Sequence, residues 1–101
     1  MIKHKEPIVA LMDILGKKWV MRILWELHQK PCTFRELQTK CGEISPTVVN
    51  ARIKDLCAAN LVKKMEPSGY GLTKYGEELL DLFEPMKDFA LKWMEDMERE
   101  G

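Results

Sequence analysis

Two helix start signals lie close together in the middle of the chain, and a short turn separates them. In the first, the Thr33 hydroxyl can accept a hydrogen bond from the Glu36 amide while the Glu36 carboxylate accepts one from the Thr33 amide. This capping box predicts a helix that runs to about Lys40. Residues 41–44 (CGEI) form a turn with a glycine, after which Ser45-Pro46 supplies a capping hydroxyl and a first-position proline. Two helices joined by a four-residue turn are typical of a helix-turn-helix.

The second helix of this motif has two chemically different sides at 3.6 residues per turn. The polar side carries Thr47, Asn50 and Lys54, which can all form hydrogen bonds. We expect the helix to end at Asn60, because asparagine tolerates the left-handed backbone that closes helices. The opposite side is apolar, and we expect its residues to be buried: Val49, Ile53, Leu56 and Cys57.

Two helices are predicted before this motif. The first begins at Pro7 and stops at Gly16. The second covers residues 17–29 and ends before Pro31, since the residue before a proline avoids the helical region. Its predicted buried face consists of Trp19, Ile23, Leu24 and Leu27.

A β-hairpin and a long helical segment are predicted after the motif. Residues 61–66 and 70–72 read as strands, and residues 66–69 (EPSG) suit a type I turn. Thr73 then caps the final helix, which Pro85 is expected to kink or divide. Its apolar residues follow at spacings of 4, 3, 4, 3 and 4, and Leu82, Phe89 and Met94 widen the stripe: Leu79, Phe83, Met86, Ala90, Trp93 and Met97. This stripe exceeds what one small core can cover, so it implies a partner.

Length and composition bound the class of protein. The 101 residues predict one domain, 1–101, with its C-terminal helix at about 73–100. No apolar run approaches the ~20 residues of a membrane span, and the N-terminus lacks the apolar centre of a signal peptide. We therefore expect a cytoplasmic protein without a membrane partner. An odd number of cysteines in such a chain predicts reduced thiols rather than a disulfide framework.

The zero net charge conceals a strong asymmetry along the chain. Residues 1–64 hold 12 Lys or Arg against 6 Asp or Glu, whereas residues 65–101 hold 4 against 10. A basic first part is compatible with phosphate binding, although charges on solvated helices can also sort unevenly by chance.

The order of elements predicts a mainly α fold with a small β-hairpin, a winged helix-turn-helix. In that architecture the second helix of the motif enters the DNA major groove, where an asparagine such as Asn50 can pair with adenine through two hydrogen bonds. Arg52 lies between the DNA side and the interior, so either a phosphate contact or a structural ion pair is possible. The wing tip lacks Lys and Arg. The candidate DNA-binding residues are Ser45, Thr47, Asn50 and Lys54 on the helix, with Thr33, Arg35, Lys17, Lys18, Arg52, Lys63, Lys64 and Ser68 around it.

Three stretches, ILGKKWVMRILWEL, FRELQTKCGEISPTVVNARIKDLCAANLVKK and YGLTKYGEELL, resemble the HxlR-type family of winged-helix transcriptional regulators. The likeness runs from about Pro7 to Trp93. It implies a homodimer, held by the first and last helices, that binds a roughly palindromic double-stranded operator. The dimer interface implied is Ile8, Leu11, Leu79, Phe83, Met86, Phe89, Ala90, Trp93 and Met97.

The chain departs from this family pattern at two places. Many members carry a cysteine just before the N-terminal proline, and in some it senses oxidants or electrophiles, but this chain has Glu6 before Pro7. The family's wing is usually longer and often has an arginine near its tip, whereas residues 65–70 make an abbreviated wing here. Redox sensing through that cysteine and minor-groove contacts by the wing are therefore not expected.

Other functional classes receive less support from the residues. A winged helix can also serve as a protein-interaction module without specific DNA binding. Cys57 on the apolar side and Cys32 beside the capping box are expected to be structural, and Cys41 in the turn is expected to be the most exposed thiol. No catalytic grouping, cofactor motif or metal-ligand spacing is present, so we expect neither an enzyme nor a metal site.

Overall fold

The architecture is mainly α-helical with one two-stranded antiparallel hairpin, as the sequence predicts. The structure, a computed structural model, describes residues 6–100. Its elements in chain order are α1 (Pro7–Leu15), α2 (Val20–Gln29), α3 (Phe34–Lys40), α4 (Pro46–Ala58), β1 (Val62–Lys64), β2 (Tyr70–Leu72), α5 (Lys74–Phe83) and α6 (Pro85–Glu100).

Side-chain caps begin three of the helices at the predicted residues. At α3 the full capping box is formed, with the Glu36 amide donating to Thr33 Oγ1 at 3.1 Å and the Thr33 amide donating to Glu36 Oε1 at 2.8 Å. Ser45 Oγ accepts from the Val48 amide at 3.2 Å, and Thr73 Oγ1 accepts from the Gly76 amide at 3.1 Å. The caps therefore fix the first turns of α3, α4 and α5.

The start of α2 differs from the prediction. Trp19 lies before the helix with a left-handed backbone, φ 78°, and its ring packs half-buried against the core. The turn after Gly16 uses this conformation to redirect the chain, with the Val20 amide donating to the Lys17 carbonyl oxygen at 3.1 Å. Val20 takes the fully buried position at the helix start. The predicted burial of Ile23, Leu24 and Leu27 is confirmed.

Two cysteine predictions are wrong, and both errors concern the ends of helices. Cys57 is exposed because the buried side of α4 ends at Leu56. Cys41 is buried, with 2% of its surface exposed, because it caps α3 where that helix packs against α2. Cys32 is buried as predicted.

The hairpin is shorter than predicted, and its loop is different. β1 and β2 pair with Val62 opposite Leu72 and Lys64 opposite Tyr70. The loop over residues 65–69 closes through a hydrogen bond from the Met65 amide to the Gly69 carbonyl oxygen, and residues 66–68 form bends in place of the predicted type I turn. The Glu66–Pro67 peptide is cis. Beyond the hairpin, Cys32 and Tyr70 exchange two backbone hydrogen bonds of 3.0 and 2.7 Å, which attach the wing to the segment before α3.

One core joins α2, α3, α4, the hairpin and α5. Its buried side chains include Ile23, Leu37, Val49, Leu56 and Leu80. Asn60 adopts the predicted left-handed conformation, φ 60°, two residues after the end of α4 at Ala58. The chain therefore turns directly from α4 into β1.

The C-terminal segment is divided at Pro85, as predicted, and its two halves differ in burial. Leu79 is buried in the domain's own core, so its predicted place on a dimer seam is wrong. By contrast, α6 has no buried residue. Within residues 6–100, no helix combines the length and apolar character that crossing a membrane requires.

Candidate nucleic-acid interface

One side of α4 is held by the core, and the other presents polar groups to solvent. Val49, Ile53 and Leu56 anchor the helix. Thr47, Asn50 and Lys54 are exposed, and within the described part of the chain their side chains have no hydrogen-bonding or ionic partner. These side chains are therefore available to a ligand that approaches α4 from outside.

The turn between α3 and α4 fixes the angle at which α4 is presented. Gly42 and Glu43 both have positive φ, 82° and 61°. Gln38 spans the turn through two hydrogen bonds. Its side-chain Nε2 donates to the Ile44 carbonyl oxygen at 2.9 Å, and its backbone carbonyl oxygen accepts from the Glu43 amide at 2.8 Å. Gln38 was not predicted from the sequence, since nothing in the pattern shows that its side chain reaches across the turn.

The candidate phosphate ligands around α3 already have contacts within the protein. Arg35 Nη1 donates to Gln38 Oε1 at 3.0 Å and to Glu43 Oε1 at 3.1 Å, although 68% of its side chain is exposed. The hydroxyls of Thr33 and Ser45 accept the capping hydrogen bonds, but each O–H can still donate to an outside acceptor. These three residues lie at the start of α3 and of α4.

Asp55 forms ion pairs with two of the predicted cations. Its Oδ2 lies 3.0 Å from Arg52 Nη1 and 3.3 Å from Lys17 Nζ. The structure thus places Arg52 in the ion pair that was one of its two predicted roles. Asp55 was not predicted from the sequence, because its pairing with Lys17 depends on the turn before α2 lying beside α4.

The wing carries its Lys residues on β1, and the loop at its tip has no Lys or Arg. Lys63 and Lys64 are exposed on β1, whereas the exposed Ser68 at the tip offers only a hydroxyl. Lys18, in the turn before α2, is exposed, and its Nζ lies 5.7 Å from the Trp19 ring centroid.

Comparisons with known proteins agree with this geometry. The family model described as HxlR-like helix-turn-helix matches residues 14–98. The chain belongs to the HxlR-like helix-turn-helix family. That membership makes it a helix-turn-helix transcriptional regulator and favours DNA binding over the protein-interaction module.

Relatives in this family are named as regulators. YdzF of Bacillus subtilis, an HTH-type transcriptional regulator, is 30% identical over 94 residues, which cover 86% of this chain and 83% of YdzF. An HTH-type regulator of Methanocaldococcus jannaschii is 29% identical over 86% of this chain and 85% of its own.

Solved structures share the fold. Quinone-bound YodB from Bacillus subtilis superimposes with a TM-score of 0.76 at 27% identity, covering 87% of this chain and 99% of YodB. A possible HxlR family factor from Thermoplasma volcanium gives a TM-score of 0.74 at 26% identity, covering 94% of this chain and 87% of that one. The winged-helix architecture is confirmed.

This HxlR-like chain has no thiol at the position before the N-terminal proline, where some family members carry a redox-sensing cysteine. Glu6 precedes α1 as its N-cap. Burial raises the pKa of the Cys32 and Cys41 thiols and so disfavours the reactive thiolate. Among residues 6–100, no group of three or more His, Cys, Asp or Glu side chains is arranged to hold a metal ion.

The exposed apolar surface of this family member is concentrated on α6. The exposed fractions of Met86, Phe89, Trp93 and Met97 are 52, 62, 50 and 55%. Ile8 on α1 is also exposed, whereas Leu11 and Phe83 pack partly against the core. A contiguous apolar surface of this kind is typical of an interaction site.

Proposed function

We propose that this chain acts in the cytoplasm as a homodimer that binds operator DNA, with α4 in the major groove. The observation that carries the proposal is the row of exposed, unpartnered side chains on α4: Thr47, Asn50 and Lys54. Polar side chains that form hydrogen bonds with one another are already satisfied within the protein. The side chains of Thr47, Asn50 and Lys54 form no such bonds within the described residues, so they are free to bind a ligand. The regulator acts by binding and not as an enzyme, and it needs no cofactor.

The candidate residues divide into two classes of contact. Asn50 is the principal base-reading residue, because its side-chain N–H can donate to adenine N7 while its side-chain carbonyl oxygen accepts from the adenine N6 amino group. Thr47 and Ser45 supply hydroxyls beside it. The residues that meet phosphates and fix the register are Thr33, Arg35, Lys17, Lys18, Arg52, Lys54, Lys63 and Lys64, with Ser68 as a weak contact at the wing tip.

The homodimer forms through the exposed apolar side of α6 together with Ile8 of α1. A two-fold axis between the protomers places two α4 helices in successive major grooves, about 34 Å apart. The operator is therefore roughly palindromic. Leu79 is not part of this interface, because it is buried within each domain.

Selection of bound sequences from a random duplex library tests the proposal directly. We expect an enriched, two-fold symmetric sequence whose half-sites are one helical turn apart. A pool that stays random after repeated rounds would contradict sequence-specific binding.

Charge reversal at Lys54 tests the role of α4. We expect Lys54→Glu to weaken binding to every duplex, because a carboxylate placed at the groove repels phosphates, and to flatten the salt dependence by about one to two units of slope. Fluorescence anisotropy at several salt concentrations measures both quantities. Arg99→Glu is the control, since it makes the same change in charge near the end of α6. Equal effects of Lys54→Glu and Arg99→Glu on DNA binding would contradict the assignment of α4 as the DNA-binding helix.

A further inference from the structure

One carboxylate oxygen joins two segments at the candidate DNA interface. Asp55 Oδ2 lies 3.0 Å from Arg52 Nη1, one turn earlier on α4, and 3.3 Å from Lys17 Nζ in the turn that precedes α2. No other side-chain ion pair of the described residues links α4 to that turn. Asp55 is therefore the electrostatic connection between α4 and the lysines before α2.

Burial shows that Arg52 depends on this carboxylate. Only 25% of the Arg52 side chain is exposed, and its Nε is buried without a hydrogen-bond partner within residues 6–100. Asp55 is the one side-chain acceptor of the guanidinium in that part of the chain. Lys17 is held less tightly, with 47% of its side chain exposed.

We propose that Asp55 is a positioning residue for DNA recognition, which restrains Lys17 and Arg52 so that they favour the operator over other duplexes. The proposal rests on the proposed function, because it concerns how the same interface discriminates. The three side chains together carry a charge of +1. A DNA phosphate next to the restrained Lys17 is still attracted to its positive charge. Lys17 and Arg52 cannot, however, move freely to follow phosphates of any duplex.

The restraint matters because phosphate contacts carry no sequence information. A lysine on a flexible stem can follow the backbone of any duplex, and each such contact adds affinity that depends on salt and not on sequence. A lysine held beside α4 meets a phosphate only when α4 is seated in the groove. Asp55 thus reduces non-specific affinity more than operator affinity.

The test compares Asp55→Asn with the wild-type chain on the selected operator and on a scrambled duplex. We expect Asp55→Asn to bind the scrambled duplex several-fold more tightly and to steepen its slope of log K against log salt by about one unit, which corresponds to one more phosphate contact. The ratio of operator to scrambled affinity falls accordingly. Asp55→Glu retains the charge and should restore most of the ratio.

A double-mutant cycle identifies the released cation. Lys17→Gln should reduce the slope more in the Asp55→Asn background than in the wild-type background. Asp81→Asn removes the same charge from the exposed surface of α5 and should leave the ratio unchanged. Thermal unfolding of each variant verifies that the domain is folded at the assay temperature. If Asp55→Asn is unfolded there, the cycle is measured at a lower temperature at which all four chains are folded.

Two outcomes would overturn the inference. One is an Asp55→Asn variant with an unchanged slope and an unchanged ratio, and the other is an equal effect of Lys17→Gln in both backgrounds. Neither outcome affects the proposed function, which depends on operator binding by the wild-type chain. Failure of the wild-type chain to bind any duplex would overturn both.

Discussion

Gly76 lies where the first turn of α5 meets the junction between α4 and β1. A Cβ at this position would fall well inside contact distance of the Leu61 carbonyl oxygen and close to the Leu72 side chain. Two hydrogen bonds of Thr73 attach the start of α5 to this junction. Its amide donates to the Leu61 carbonyl oxygen, and its hydroxyl donates to the Asn60 carbonyl oxygen at 2.6 Å. The glycine therefore permits a close approach of backbone to helix.

Gly76→Ala should destabilise the domain by ~1–3 kcal/mol, because the added methyl forces α5 away from β1. Helix propensity alone predicts the opposite sign, a gain of about 1 kcal/mol. The free energy of unfolding in urea decides between these two results. Glu78→Ala on the exposed side of α5 is the matched control and should change stability by no more than about 0.5 kcal/mol. A stabilised Gly76→Ala variant would show that the backbone yields there.

The capping box predicts a pH dependence of stability that arises at Glu36. The hydrogen bond from the Thr33 amide, the largest cause, and the nearby Lys30 hold the pKa of this carboxyl below its usual range. The folded pKa is thus lower than the unfolded one. The stabilisation is complete above the unfolded pKa and is lost as the pH falls through the folded pKa.

Replacing Glu36 by Gln should therefore reduce the slope of stability against pH in the acid range while the neutral-pH fold persists. Urea unfolding at a series of pH values from neutral to strongly acidic measures the slope. Glu78→Gln controls for the loss of one exposed carboxylate. Identical acid slopes for the wild type and Glu36→Gln would contradict the role assigned to the capping box.

At the scale of elements, α4 and the wing contribute different things to the interface. The core fixes α4 along its length, and the turn held by Gln38 sets its direction. The wing is attached to the segment before α3 by the Cys32–Tyr70 hydrogen bonds, but its positive charge stops at Lys64. Specificity should thus depend on α4, and the wing should add affinity that does not depend on sequence.

Substitutions along the wing test this division. The double change Lys63→Gln with Lys64→Gln should weaken binding to operator and scrambled duplexes alike, and should flatten the salt slope by up to about two units. Ser68→Ala, at the tip, should change the operator affinity by no more than about 1 kcal/mol, since it removes at most one exposed hydrogen bond. Salt-titrated anisotropy measures both. A loss of sequence preference in either variant would mean that the wing reads bases.

At the scale of the whole molecule, α6 carries large apolar side chains that the core of its own domain does not bury. It extends for 16 residues without burying a side chain, and half or more of the surface of Phe89 and Trp93 is exposed. A shallow cavity on the same helix is lined by Phe89, Trp93 and Met97. A second copy of the chain would cover these residues.

Phe89→Glu should convert the dimer to a monomer without unfolding it, because the charge would be buried in the interface but is harmless on a free helix. Sedimentation equilibrium measures the mass, and circular dichroism the fold. Leu91→Glu is a matched control, since Leu91 has an exposed fraction of 61% against 62% for Phe89 but lies about 200° around the helix from it. Monomeric Phe89→Glu should lose most of its affinity for the two-half-site operator. A wild-type chain that is already monomeric would contradict the dimer.

Local sequence was sufficient to predict the order and type of the elements and the family. Capping residues such as Thr33, Ser45 and Thr73 act within a few residues of chain, so their hydrogen bonds follow from local order. Apolar periodicity placed the core side of α4, and Pro85 divided the last two helices as its missing amide requires.

Contacts between side chains of different elements could be identified from the folded chain alone. Leu79 belongs to the core and Cys57 does not, because burial depends on where a neighbouring element ends rather than on helical period alone. The pairing of Asp55 with Lys17 joins residues distant in the chain, and the contact that requires Gly76 involves Leu61 from another element. Such contacts are set by packing in three dimensions, which the one-dimensional pattern of α4 or α5 does not contain.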